Sequence, residues 1–328
     1  MRICVFGAGA IGGNFAARLA AAGNDVSVVA RGAHLEAIRA NGLTLIAGDK
    51  KIVAKVRASD RPSELGQQDA VISTLKASGL AALAEGVGPL LGPDTPVVFA
   101  QNGIPWWYGH GLATSRPPAP DLSRLDPDGA LARAVGLHRT LGGTITSPNH
   151  VIEPGVVHHE QPDRNALWVA EIDDRQSQRV GALRAALKGA GIGSPDTTDI
   201  RYDIWHKLMA NLTGSAVCLI LGQPSTVQKT PIVNQLCRRA HAEALAVAHA
   251  HGVVLDDSPD VRYGPKRVYF DHRPSILQDY DLGRPMEIES IVRAPVAFAR
   301  SAGIATPTLD AIEAFAVSLA AAKGLYSA

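Results

Sequence analysis

The stretch that decides the fold lies at the start of the chain, where residues 2–12 read Arg-Ile-Cys-Val-Phe-Gly-Ala-Gly-Ala-Ile-Gly. Residues 2–6 are a short apolar run, which predicts a buried strand that ends at Gly7. Residues 11–22 carry apolar side chains at helical spacing and are followed by a glycine. Residues 25–30 then predict a second strand. This strand–helix–strand order is the building block of a parallel sheet.

The segment from Gly7 to Gly12 matches the pattern GxGxxG, directly after a strand and at the start of a helix. Gly7 permits the tight turn, Gly9 lets the backbone approach a pyrophosphate, and Gly12 allows close helix–strand packing. The free N–H groups and positive dipole end of the helix suit the phosphates. The cofactor-binding residues predicted here are Gly7, Ala8, Gly9, Ala10, Ile11 and Gly12. A purely structural glycine turn is the alternative.

The residue after the second strand indicates which dinucleotide binds. An acidic residue there would bond the 2′-hydroxyl of NAD, whereas this chain has Arg31, whose guanidinium suits the 2′-phosphate of NADP. Residues 30–34 contain no acidic side chain. The sequence therefore favours NADPH as the cofactor without excluding NADH. A solvated arginine at a strand end is the alternative for Arg31.

The remaining pattern divides the chain into two parts. Further β patterns lie at 43–57 (a hairpin centred on Gly48-Asp49), 71–75, 97–100 and 135–171. Long helical patterns with little β signal follow at 204–221, 230–251, 286–301 and 307–323. We predict an α/β, Rossmann-type dinucleotide-binding domain over residues 1–195 and an all-α substrate and catalytic domain over 196–328, with a cleft between them.

The composition is that of an ordinary soluble globular protein. The 328 residues are 46% hydrophobic, and the formal net charge of +1 gives no broad basic field for nucleic acid. No apolar stretch reaches the length of a membrane span, and the chain start lacks the features of a signal peptide. Cys4, Cys218 and Cys237 form no CxxC pair, and the histidines show no metal-ligand spacing. We expect a cytoplasmic protein without a metal, nucleic-acid or membrane partner.

Four separated motifs point to a family. They are the glycine loop with Arg31, the tripeptides at 74–76 and 101–103, and a C-terminal pair formed by 206–211 and by 275–279 with Glu287. Their order and spacing resemble the ketopantoate reductase (2-dehydropantoate 2-reductase) family over nearly the whole chain. The resemblance implies that NADPH delivers hydride to the ketone of a small 2-oxo acid. The implied product is pantoate, in pantothenate and coenzyme A biosynthesis.

By this resemblance Lys207 is the catalytic general acid. Ketone reduction needs a proton donor beside the oxygen that becomes an alkoxide. A lysine in a semi-dry cleft can supply the proton, because desolvation lowers its pKa from about 10.4. Asn211 lies one turn further along the same helical face and resembles the family's substrate-binding Asn. The alternatives are a lysine whose charge reaches water at the helix edge and a buried amide between helices.

The other implied roles are contacts to substrate and cofactor. The implied substrate-binding residues are Asn102, Lys207, Asn211, Ser215 and Ser275. Beyond the glycine loop, the implied cofactor contacts are Arg31, Lys76, Asn102 and Glu287. The alternatives are an Asn-Gly turn for Asn102, surface charge for Lys76, a helix N-cap for Ser275 and a first-turn glutamate for Glu287.

This chain departs from the family pattern at several positions. Many members carry Asn where it has Ser215 and His272, and Gly where it has Arg293, whose bulk could alter helix packing or reach the cleft. The departures leave open a different substrate, namely another branched 2-oxo acid or an imine. A non-catalytic NADP-binding sensor is the alternative of another class. The apolar pattern at 307–323 is compatible with a homodimer, and Trp106-Trp107 with a lid or an interface.

Overall fold

The computed structural model describes residues 1–327, which form two compact units. The first unit consists of Met1–Gln101 and Asp128–Ile200, and the second of Asn102–Pro127 and the chain from Arg201 onward. The sequence-based boundary at 195/196 leaves residues 102–127 in the first domain, so the structure differs there. The physical reason is burial, because Trp107 lies within the second unit against the guanidinium of Arg201.

The first unit contains the two sheets of the described chain. The strands are β1 (Arg2–Phe6), β2 (Asp25–Val29), β3 (Leu43–Ala47), β4 (Lys50–Ala54), β5 (Arg57–Ser59), β6 (Ala70–Ser73), β7 (Val97–Ala100), β8 (Thr140–Thr146), β9 (Asn149–Glu153), β10 (Val156–His159) and β11 (Ala166–Glu171). Seven form one sheet in the order β11-β8-β7-β6-β1-β2-β5, parallel except for β11. The others form a sheet in the order β4-β3-β10-β9. The hairpin predicted over 43–57 is confirmed as β3 and β4, but it belongs to this second sheet.

The helices of the first unit are α1 (Ala10–Ala21), α2 (Gly32–Asn41), α3 (Leu80–Gly86), α4 (Ala130–Val135) and α5 (Gln178–Gly189). Helix α1 packs against strands of both sheets. Its small residues allow this close approach, since a Cβ on Gly13 would lie 2.6 Å from Val157 Cγ2. Phe15 and Leu19 of α1 are fully buried in the resulting core.

The second unit is helical. Its helices are α6 (Ile200–Ala210), α7 (Ala216–Leu221), α8 (Pro231–Ala250), α9 (Pro259–Arg262), α10 (Ser275–Asp281), α11 (Ala294–Ser301) and α12 (Pro307–Ala322). A π turn at Asn211–Ser215 joins α6 to α7, and another at Glu289–Arg293 leads into α11. The predicted fold class, a Rossmann-type α/β part followed by an all-α part, is confirmed.

Within residues 1–327, the helical stretch Ile200–Leu221 is long and apolar enough to cross a membrane by length and composition. However, 61% of its most apolar window is buried inside the protein, which is typical of a core helix.

The carboxyl ends of the central strands are level with one another. Phe6, the last residue of β1, pairs with Val29 of β2 and with Ser73 of β6. The loops that follow these strands therefore lie at one edge of the sheet, which is where open α/β sheets bind ligands. The glycine loop, Arg31 and the segment that begins at Thr74 all follow strands that end there.

Candidate active site

The glycines of the loop Gly7–Gly12 differ in what surrounds them. Gly7 has a φ of +101°, a conformation that residues with a Cβ rarely adopt. A Cβ on Gly12 would lie 2.1 Å from Gly7 O and 2.5 Å from Thr74 Oγ1. A Cβ on Gly9 would meet no other atom of residues 1–327 within 4 Å. The backbone thus requires glycine at 7 and 12, and the open space at Gly9 fits the close approach of a pyrophosphate.

Two side chains outside the glycine pattern hold this loop. Thr74 Oγ1 donates to Gly7 O at 2.6 Å. His34 Nε2 donates to Ala8 O at 2.7 Å, while its Nδ1 accepts the N–H of Gly155 at 3.0 Å. These bonds assign the His34 ring as the tautomer that carries its proton on Nε2. Sequence reasoning missed both roles, because a hydroxyl or an imidazole bonded to main chain leaves no spacing pattern.

The start of α1 is suited to an anion. Gly9 is its N-cap residue, and within the described chain no side chain caps these amides and no acidic residue occupies the first turn. The first N–H groups of an α-helix have no partners in their own helix. Together with the positive end of the helix dipole, they favour a phosphate at this position.

Arg31 is exposed and lies directly before α2, two residues beyond the end of β2. Among residues 1–327 its side chain makes no hydrogen bond or ion pair, so the guanidinium is available to a ligand. Lys76 is also exposed, three residues beyond the end of β6. Both cations therefore follow strands that end at the ligand-binding edge.

Lys207 and Asn211 lie where α6 passes into a π turn, and both side chains are half-buried. The turn closes with the N–H of Ala216 on Asn211 O. Turns of this kind inside α-helices occur frequently at functional sites. Thr213 is one local cause of this departure from the α-helix. Its hydroxyl donates to Met209 O at 2.6 Å, and such bonds to the carbonyl four residues back bend helices.

Tyr263 supports this π turn from a neighbouring segment. Its hydroxyl lies 2.6 Å from Thr213 Oγ1. Because Thr213 already donates to the main chain, the tyrosine is the donor of this pair. Burial raises the pKa of the Tyr263 hydroxyl far above its ordinary value, so it keeps the proton that this bond requires.

Glu287 precedes the other π turn and is paired with Asn102. Its Oε2 accepts the Asn102 Nδ2 at 3.0 Å, and the glutamate is only 6% exposed. The two residues are 185 positions apart in sequence. The structure thus brings two of the predicted site residues into direct contact.

Three elements that carry or closely follow predicted site residues lie together within the second unit. The π turn that begins at Asn211 contacts the π turn that follows Glu287, and α10, which begins at Ser275, contacts the first of these turns. Ser275 is exposed, and Pro274 is the N-cap residue of α10. Ser275 is therefore not the helix cap considered as its alternative. Ser215 is half-buried, and its hydroxyl donates to Ala210 O at 3.5 Å.

Arg293 ties its helix to the end of the chain. Its guanidinium bonds Glu313 Oε1 at 3.3 Å, Glu289 Oε2 at 3.4 Å and the Tyr326 hydroxyl at 2.9 Å. The hydrogen bond to Tyr326 is the main cause that raises the pKa of Arg293. The sequence left two roles open for the bulk of Arg293, namely an effect on helix packing and a reach into the cleft. The structure shows it in contacts between helices.

Trp107 is part of the interior rather than of a mobile lid. It is fully buried, and the Arg201 guanidinium lies 5.5 Å from its ring centre. Trp106 is also buried, with its ring 6.4 Å from that of His110. In residues 1–327 no group of three His, Cys, Asp or Glu side chains could hold a metal ion.

Comparison with known proteins decides the family. Residues 3–116 match the family model described as ketopantoate reductase PanE/ApbA, and residues 199–317 match the model of its C-terminal part. A 2-dehydropantoate 2-reductase of Mesorhizobium japonicum is 40% identical over 329 residues, which cover 100% of both chains. The chain belongs to the ketopantoate reductase family. It is therefore an oxidoreductase, and the resemblance drawn from the four motifs is confirmed.

Solved structures of the family share this fold. A Ralstonia solanacearum protein studied as a candidate ketopantoate reductase has a TM-score of 0.88 at 33% identity, with 99% of both chains covered. The 2-dehydropantoate 2-reductase of Geobacter metallireducens has a TM-score of 0.82 at 28% identity, with 97% of this chain and 99% of that one covered. Membership in this family of nicotinamide-dinucleotide-dependent reductases sets aside the non-catalytic sensor.

Proposed function

We propose that this reductase converts 2-dehydropantoate to pantoate with NADPH, as a cytoplasmic step of pantothenate and coenzyme A biosynthesis. The observation that carries the proposal is that Lys207, Asn211, Ser275 and Glu287 lie in one unit, where the π turn that begins at Asn211 contacts both α10 and the π turn that follows Glu287. The full-length relation to a 2-dehydropantoate 2-reductase supports the choice of substrate.

The first unit would bind the cofactor. The open backbone at Gly9 and the amides of α1 receive the pyrophosphate, and Arg31 receives the 2′-phosphate. Lys76 lies at the same edge of the sheet and adds a second cation. When bound, NADPH supplies the hydride for the reaction.

The second unit would bind and protonate the substrate. Lys207 donates the proton to the oxygen that becomes the hydroxyl group, and its position on a half-buried helix face restricts competing water. Amide and hydroxyl donors from Asn211, Ser215 and Ser275 hold the carboxylate and hydroxyl of the substrate. The Asn102–Glu287 pair contributes contacts to both substrate and cofactor.

The direct test is the rate of NADPH oxidation with 2-dehydropantoate, with NADH measured alongside. Lys207→Ala should lower kcat by about 10²–10⁴-fold, because it removes the general acid. Lys188→Ala, in an exposed position of α5, is the control and should retain the wild-type rate. A Lys207→Ala enzyme with wild-type kcat would contradict the role of this lysine.

Arg31→Ala tests the cofactor preference separately. It should raise the KM for NADPH about tenfold or more and leave the KM for NADH little changed, since only NADPH carries the 2′-phosphate. An unchanged KM for both cofactors would favour a solvated arginine at this position.

The second candidate is reduction of another branched 2-oxo acid or of an imine. Ser215 and His272 favour it, since they replace the amides that many family members carry. Arg293 no longer supports it, because its guanidinium is bonded to Glu289, Glu313 and Tyr326. Comparison of kcat/KM for 2-dehydropantoate and related 2-oxo acids and imines decides between the two.

A homodimer is proposed on the apolar character of α12, which buries Leu309 and Ile312 but leaves Phe315 58% exposed. Light scattering on the purified protein tests it, and a monomer at micromolar concentration would contradict it.

A further inference from the structure

The helix that follows Glu287 contains a proline at position 295, where it changes the pairing of the main chain. In an α-helix, the N–H of Ala294 would donate to Ser290 O. Here it donates to Glu289 O across the π turn. The next residue that could reach Ser290 O is Pro295, which has no N–H. The Ser290 carbonyl therefore finds no partner in its own helix, all of which the structure describes.

A segment that is distant in sequence supplies a hydrogen-bond donor to this carbonyl. The N–H of Ile104 donates to Ser290 O at 2.8 Å. The approach is so close that a Cβ on Gly103 would lie 2.3 Å from Ser290 O and 2.8 Å from Ile291 N. Gly103 also has a φ of +78°, so glycine is required there on both grounds. The side chain of Ile104 is fully buried, which anchors the segment.

This contact determines where Asn102 lies. Asn102 directly precedes Gly103, and its Nδ2 donates to Glu287 Oε2 at 3.0 Å. Glu287 directly precedes the helical stretch that contains Ser290, and its carbonyl accepts the N–H of Ile291 at 3.1 Å. The side-chain bond from Asn102 to Glu287 and the main-chain bond from Ile104 to Ser290 therefore join the same two segments a few residues apart. Loss of the main-chain bond would let the side-chain bond shift.

We propose that Pro295 and Gly103 are positioning residues of the active site. Pro295 widens the helix into a π turn and leaves Ser290 O to the N–H of Ile104, and Gly103 allows the two backbones to meet. Together they hold the Asn102 amide against Glu287. The kinetic consequence rests on the proposed function of Asn102 and Glu287, whereas the main-chain contact does not.

The first test restores the missing N–H with Pro295→Ala. Hydrogen exchange of the Ile104 amide, followed by mass spectrometry on peptides covering 102–108, should become about tenfold faster or more. The kcat/KM for 2-dehydropantoate should fall roughly tenfold, since small displacements in an active site are costly. Pro307→Ala is the matched control, because Pro307 begins α12 where no N–H partner is lost. It should change neither quantity.

A double-mutant cycle separates positioning from general destabilisation. If Pro295 acts through Asn102, the enzyme with both Asn102→Ala and Pro295→Ala is no slower than Asn102→Ala alone. The proposal would be overturned if the effects of the two substitutions on kcat/KM multiplied in the double variant. Unchanged hydrogen exchange of the Ile104 amide in Pro295→Ala would overturn it as well. Pro295→Val, which also restores the N–H, repeats the cycle if the alanine variant is poorly folded.

Failure of the proposed function gives a different result. An enzyme that binds NADPH but reduces no 2-oxo acid would refute the substrate assignment. In that case two measurements decide the positioning role. One is the exchange rate of the Ile104 amide, and the other is the double-mutant cycle of Asn102→Ala and Pro295→Ala with the dissociation constant for NADPH as the measured quantity. Faster exchange with non-additive binding supports it, and additive binding overturns it.

Discussion

Gly9 and Gly12 belong to one loop, yet the structure separates their functions. The space beside Gly9 is open, whereas the space beside Gly12 is filled by Gly7 O and the Thr74 hydroxyl. A methyl group at position 9 would therefore compete with a ligand, and a methyl group at position 12 would compete with the protein itself.

This difference gives a paired prediction. Gly9→Ala should change the free energy of unfolding of the apo protein by no more than about 0.5 kcal/mol. It should nevertheless raise the dissociation constant for NADPH about tenfold or more, because the methyl group blocks the pyrophosphate. Gly12→Ala should in addition destabilise the apo protein by about 1–3 kcal/mol. Chemical denaturation and fluorescence titration measure both, and wild-type affinity in Gly9→Ala would contradict the prediction.

His241 is a second residue with an unusual environment. It is fully buried, and in the part of the chain that the structure describes neither ring nitrogen has a hydrogen-bond partner. Burial lowers its pKa to about 4, the charges of Arg262 and His206 act in the same direction, and Asp257, 3.6 Å away, opposes them. The folded protein therefore keeps this ring neutral.

The consequence is a loss of stability in acid. A histidine in the unfolded chain has a pKa near 6.5, so between about pH 6.5 and pH 4 the unfolded state binds a proton that the folded state does not. Above pH 6.5 the neutral His241 costs the folded state no stability through protonation. As the pH falls toward 4, protonation of the unfolded chain at this residue lowers the free energy of unfolding by roughly 3 kcal/mol. Urea unfolding at pH 7.5 and 4.5 should show a smaller acid loss for His241→Leu than for wild type.

The control for this prediction is His249→Leu, which changes an exposed histidine of the same helix α8. It should lose as much stability in acid as the wild-type protein. Equal acid losses in all three proteins would show that His241 does not cause the effect.

At the scale of elements, α8 supplies the cap of α12. Both oxygens of the Glu243 carboxylate accept the N–H of Thr308 at 3.0 Å, and one of them accepts the N–H of Leu309 at 2.9 Å. A carboxylate at a helix start satisfies amides that have no partners in their own helix and interacts favourably with the helix dipole. One side chain thereby couples two helices of the second unit.

Glu243→Gln should lower the free energy of unfolding by about 1–2 kcal/mol, because the amide loses the charge and one acceptor oxygen. Denaturant titration at neutral pH measures the change. Glu36→Gln, on the exposed face of α2, is the matched control and should stay within about 0.5 kcal/mol of wild type. A Glu243→Gln loss no larger than that of the control would contradict the capping role.

At the scale of the whole molecule, the chain enters the second unit twice. The fully buried guanidinium of Arg201 donates to Tyr108 O at 3.0 Å and to His110 O at 2.5 Å. It also lies 5.3 Å from the Tyr108 ring centre. These partners come from the segment 102–127, far from Arg201 in sequence.

We therefore expect that a fragment of residues 196–328 does not fold cooperatively. Without the segment 102–127 the buried guanidinium would lose the acceptors Tyr108 O and His110 O, and buried N–H groups of a charged side chain that lose their acceptors cost about 1–3 kcal/mol or more. Near-UV circular dichroism and urea unfolding compare the fragment with the full chain. The expectation would be refuted if the fragment unfolded in a single transition at the urea concentration at which the second unit unfolds in the full protein.

Local pattern was sufficient for much of this architecture. The strand before Gly7, the hairpin over 43–57 and the long helices after 196 follow from apolar periodicity and from glycine and proline positions, which act over a few residues. The glycine motif also predicted correctly where the backbone has no room for a Cβ. The same reasoning missed α2, whose ten residues include only two large apolar side chains, Leu35 and Ile38, and it left the second sheet unrecognised.

Long-range packing settled the rest. That Asn102 meets Glu287 depends on Ser290 O being left without a helical partner and on Ile104 reaching it. The ties of His34 and Thr74 to the glycine loop, and the burial of Trp107 on Arg201, likewise join groups far apart in sequence. Periodicity reports which face of an element is apolar. It carries no information about which main-chain groups remain unpaired after folding, and those groups select the distant partner.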